Sequence, residues 1–119
     1  MGLEIKIESL EGLKFEGESK EYNNKVGGFT LNINGYNDGL FTGGGSDRYG
    51  YFYVVGMMRK GEFEFVKVSA IGNILHYKAN ELKVNPASSQ NPIFEGEYSF
   101  IKGPSGTGPW RMWSIPKSE

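Results

Sequence analysis

Apolar and polar residues alternate with a period of two along almost the whole chain. In residues 3-8, Leu3, Ile5 and Ile7 share one side while Glu4, Lys6 and Glu8 share the other. Leu13, Phe15 and Gly17 oppose Lys14, Glu16 and Glu18; Phe29, Leu31 and Ile33 oppose Thr30, Asn32 and Asn34. This is the pattern of strands with one buried face. No long window places apolar residues at the three- and four-residue steps of an amphipathic helix.

Turn residues punctuate the alternation. Asp38-Gly39 within 35-40, the glycine-rich stretch 43-50, 59-62 around Gly61, and 71-73 each predict a short connection. One connection, 83-92, is long and polar, and Pro86 and Pro92 are expected to hold it off the sheet. A second loop, 102-109, precedes the final strand. The predicted strands are 3-8, 13-22, 27-34, 40-44, 51-59, 62-69, 74-82, 93-101 and 110-115. They predict an all-β protein: an antiparallel up-and-down meander that removes its edges by closing into a barrel of about eight strands. A sandwich needs crossing connections, and only 83-92 could serve as one. The 119 residues predict a single domain, 1-119, with 1-10 as a possible lead-in strand.

A Phe two residues before a Gly recurs at Phe15/Gly17, Phe41/Gly43 and Phe94/Gly96. Glycine within a strand has a steric reason more often than not. Here Gly17, Gly43, Gly56 and Gly96 are expected either to let a strand coil sharply or to make room for a neighbour's ring. The helix-free meander resembles the avidin-like branch of the calycin barrels over about residues 13 to 115. The run Phe41, Gly43, Gly45, Asp47, Gly50, Phe52 and Gly56, followed by Phe65, Lys67, Tyr77, Phe94, Gly96 and Tyr98, is also similar to small β-barrel modules with no settled activity. The resemblance, avidin-like or lipocalin-like in architecture, implies a small ligand-binding barrel. The loop Ser, Asn and Asp that hold biotin in avidins have no counterpart here.

Composition narrows the chemistry. The net charge is -1, with no block of basic residues to meet a nucleic-acid backbone or an anionic membrane. There is no cysteine, so disulfides and thiolate metal sites are excluded. With an N-terminus that lacks an apolar signal core, this predicts a cytoplasmic protein. No cofactor or metal site is predicted. His76 is the single histidine, no Gly-x-Ser-x-Gly elbow occurs, and a calcium loop counted from Asn34 meets Gly45 where Glu is required. No catalytic set is recognisable, and the chain reads as non-enzymatic.

The glycine-rich stretch fails as a phosphate loop because Asp47-Arg48 follows it and no helix does. It reads as a hairpin corner that could present Asp47, Arg48 and Tyr49 at a barrel mouth. Strict alternation points Lys67 inward with Phe63 and Phe65, where it would need a carboxylate or carbonyl partner. A bulge near Val66 would turn it outward instead. Phe15, Phe29, Phe41, Phe52, Phe63, Phe65, Phe94, Tyr98 and Phe100 are expected inside. An interior filled by these rings and an interior holding one small ligand both satisfy the pattern.

The primary expectation is therefore a binding barrel for a small apolar or anionic molecule. Lys67, Tyr98, Phe65, Phe52, Arg111 and Trp110 are its candidate contacts, with Lys67 or Arg111 as polar anchor. The alternative is a protein-interaction or protease-inhibitor module acting through loops 43-50 and 102-109. Segments 51-58 and 110-115 are apolar on both faces. They predict a homodimer through those strands, or a covering by residues 1-10 or 83-92.

Overall fold

The computed structural model describes residues 12-20, 26-59, 62-85, 88-104 and 106-115, with the backbone alone at 80-85 and 88-93. Eight strands follow one another: β1 (Lys14–Lys20), β2 (Val26–Asn37), β3 (Leu40–Asp47), β4 (Gly50–Arg59), β5 (Glu62–Ser69), β6 (Ile74–Asn85), β7 (Ser88–Lys102) and β8 (Thr107–Ser114). Each pairs antiparallel with the next, and β8 returns to β1 with Phe15 opposite Ser114, closing the barrel. The predicted strand 3-8 lies outside the described residues, as do Lys60 and Gly61 of the predicted turn 59-62.

Alternation puts one set of side chains indoors. Phe15, Leu31, Ile33, Phe41, Phe52, Val54, Phe63, Phe65, Leu75, Tyr77, Phe94, Tyr98, Trp110 and Met112 form the buried core, with Phe29 and Phe100 packed against it. At one end the rings stack: Phe63 lies between Phe41 (centroids 5.2 Å apart) and Phe94 (3.9 Å), and Phe15 closes on Phe94 at 5.9 Å. A middle tier sets Phe65 parallel to Tyr77 at 4.7 Å, with Trp110 edge-on to both. Asp38, at φ 49°, and Gly39, at φ 86°, make the expected tight hairpin turn between β2 and β3.

Three expectations about connections are corrected. The triple glycine is not a corner: Gly43, Gly44 and Gly45 lie within β3, and only Arg48 and Tyr49 bridge to β4. Crowding explains the run. A methyl group on Gly45 would come within 2.9 Å of the Phe52 ring and would collide with the Thr30 carbonyl. Likewise residues 83-85 and 88-92 are not a loop held off the sheet; Pro86 lies outside the described residues. β6 and β7 pair as far as Asn85 opposite Ser88, with Pro92 opposite Val84. Pro92 lies just beyond the last β7–β8 pair, Ile93 with Trp113, so its missing N–H interrupts no ladder to β8. The final loop is likewise shorter than expected, because β8 already begins at Thr107.

Gly17 behaves as the sequence predicts. It faces inward, and the ring of Phe29 from β2 occupies the space its side chain would take. Gly56 does the same for Phe41.

Candidate functional site

β1, β3, β5 and β7 all run toward the same end of the barrel, so their last residues gather there with the first residues of β2, β4, β6 and β8. The stack of Phe15, Phe41, Phe63 and Phe94 does not reach this end, and a cavity of about 260 Å³ opens there. Its walls include Phe29, Leu75, Tyr77, Tyr98 and Phe100, and its rim includes Arg48, Tyr49, Ile71 and Pro104. Below it, the space enclosed by Phe29, Leu31, Phe52, Phe65 and Tyr77 under Lys67 has no room for a water molecule. The barrel is thus filled at one end and hollow at the other.

Lys67 marks the boundary. The β4–β5 and β5–β6 ladders run past it without a register shift, so no bulge turns it outward. Its ammonium donates to Asp47 Oδ2 at 2.8 Å, and both side chains are 11 % exposed. The cation also lies over the Phe52 ring, 4.8 Å from its centroid, and 5.6 Å from that of Tyr77. Ring faces carry partial negative charge, so they favour the ammonium where water is scarce. The second carboxylate oxygen of Asp47 accepts the Tyr49 backbone N–H at 2.8 Å, tying the pair to the β3–β4 turn. Asp47 is therefore both the turn residue that composition suggested and the partner that an inward lysine demands.

Two further polar groups of the cavity are held by the backbone. Tyr98 Oη donates to the Lys20 carbonyl at 2.7 Å, so its ring stands as a fixed wall. Ser69 Oγ accepts the Ile71 N–H at 3.4 Å and shapes the β5–β6 turn. At the rim, Arg48 donates to Tyr49 Oη at 2.7 Å and lies over that ring.

The sequence candidates divide by location. Lys67, Tyr98, Asp47, Arg48 and Tyr49 meet at the cavity. Phe52 and Phe65 lie beneath its floor. Trp110 is buried in the middle tier and donates from Nε1 to the Lys78 carbonyl at 3.3 Å. Arg111 stands on the outer face, paired with Glu18 at 3.0 Å and lying over Trp113, so it is no interior anchor. Its neighbours Trp110 and Met112 hold the inward parity of β8, which turns Arg111 out. Sequence reasoning missed Phe29, Ser69, Leu75 and Tyr77 as cavity walls. Their inward parity was legible, but not which inward residues stand above the packed tiers. His76 lies on the outer face, 3.4 Å from Glu64 across the β5–β6 ladder.

The two segments with apolar outer faces are not one surface. β4 and β8 are four strands apart in a ring of eight and therefore lie on opposite sides. The β4 side exposes Tyr51 (79 %), Tyr53 (75 %) and Val55, with Leu40 and Val68 on the adjoining strands. Comparison with known proteins finds no matching family, no matching curated protein and no matching solved structure.

Proposed function

We propose that the protein is a calycin-like binding barrel that holds one small, partly apolar molecule in its open end. The observation that carries this reading is the cavity itself: a hollow of about 260 Å³ with fixed aromatic walls and one ion pair at its floor, above an interior that is otherwise closely packed. Ligand sites combine apolar walls with a few placed polar groups in this way. The volume suits a compact ligand of roughly ten non-hydrogen atoms, scaled from the ~150 Å³ that accommodates benzene. A long acyl chain does not fit.

Native mass spectrometry of protein from its natural source tests the reading. The expected spectrum shows one small molecule retained per chain, and Leu75→Trp, which fills the cavity from β6, abolishes the adduct. No adduct, together with no chemical-shift change at Lys67, Leu75 or Tyr98 across a fragment screen, overturns it.

A further inference from the structure

The ion pair at the floor of the cavity sets the charge of the ligand. We infer that the site selects neutral molecules carrying an amide-like group, a hydrogen-bond acceptor beside a donor, and discriminates against carboxylates; this rests on the binding reading above. An isolated lysine at the base of an apolar cavity would favour an anion. Lys67 is not isolated, because Asp47 Oδ2 is only 2.8 Å from its ammonium. A ligand carboxylate within hydrogen-bonding reach of Lys67 would lie close to the Asp47 carboxylate as well. Attraction to one and repulsion from the other largely cancel, while the ligand's own desolvation remains.

A neutral amide meets both partners. Its carbonyl accepts an N–H of Lys67, which has three donors and spends one on Asp47. Its N–H donates to the carboxylate of Asp47, whose two oxygens offer more acceptor positions than the two bonds they make, to Lys67 and to Tyr49 N–H. Neither charge loses its counter-charge. The ligand's apolar body then lies toward the mouth, between Phe29, Leu75 and Phe100. The one other charged side chain among the described lining residues, Arg48, is at the exposed rim and bonded to Tyr49.

Phenylacetamide and phenylacetate have nearly the same shape and differ by one charge, so titrating both into the wild-type protein, followed by calorimetry or ligand-observed NMR, tests the inference. The amide is expected to bind about tenfold tighter or more. Asp47→Asn keeps a side-chain oxygen for the Tyr49 N–H but removes the negative charge, and is expected to shift the preference toward the acid by about tenfold or more. A wild-type protein that binds the acid as tightly as the amide overturns the inference and leaves the binding reading intact. Binding of neither compound also overturns it, and the retained-ligand measurement then decides separately whether the binding reading falls too.

Discussion

The two ends of this barrel are built from the same strands and the same alternation, yet one is solid and the other hollow. At the solid end the inward positions carry Phe15, Phe41, Phe63 and Phe94, whose rings pack against one another. At the open end the same strands, two to three inward steps further on, carry Ser19, Asp47, Lys67 and Tyr98. β5 shows the change within eight residues: Phe63 and Phe65 are core, Lys67 is floor, and Ser69 is wall. The polarity of the inward side chains thus rises along the barrel axis. The stacked rings hold the strands at the solid end, and at the other end the inward rings of Phe29, Tyr77, Tyr98 and Phe100 stand around a hollow instead of filling it.

This division predicts unequal costs. Phe94→Ala removes a fully buried ring that touches both Phe63 and Phe15, and is expected to lower unfolding free energy by about 3–5 kcal/mol. Urea unfolding measures this, and a loss below ~1 kcal/mol would mean that the rings do not form the stabilising core. Lys67→Met is expected to cost less, about 2 kcal/mol, because Asp47 is left without its counter-charge beside a cavity that water can reach. Adding Asp47→Asn to it is expected to restore more than half of that loss, since the uncompensated charge is removed. Equal costs for the single and double variants would show that lysine packing, not charge pairing, matters here. Tyr53→Lys, on the outer face of β4, is expected to change stability by less than about 0.5 kcal/mol. A larger loss that grows with protein concentration would show that this face is covered by a second chain, as the expected dimer requires.

Much of the barrel was legible residue by residue. Period-two alternation specified which side chains face inward in β1 and β2 but not in β8, where Trp110 and Arg111 were both read as ligand contacts, and Asp38-Gly39 specified a tight turn. The glycines opposite aromatic residues were also legible at Gly17, because a strand glycine without a turn role implies a neighbour that needs the room. The triple glycine misled, since the same residue type serves turns and crowded strands, and only the adjacent Thr30 carbonyl and Phe52 ring distinguish the two. The segment 83-92 misled for a related reason. Polar residues and Pro92 suggest a loop, yet a hairpin that continues past its neighbouring strands tolerates both.

The sequence by itself determined the alternation, the meander and the absence of thiol chemistry, because these depend on neighbours along the chain and on composition, while the inward turn of Lys67 needed the unshifted ladders of β5. Tertiary structure alone decided that Lys67 reaches Asp47, that the hollow lies at their end, and that β4 and β8 face opposite ways. The ion pair joins β5 to β3 across the ring of Phe52 on the strand between them. Strand tilt and closure bring those side chains together, and no spacing within the chain records either.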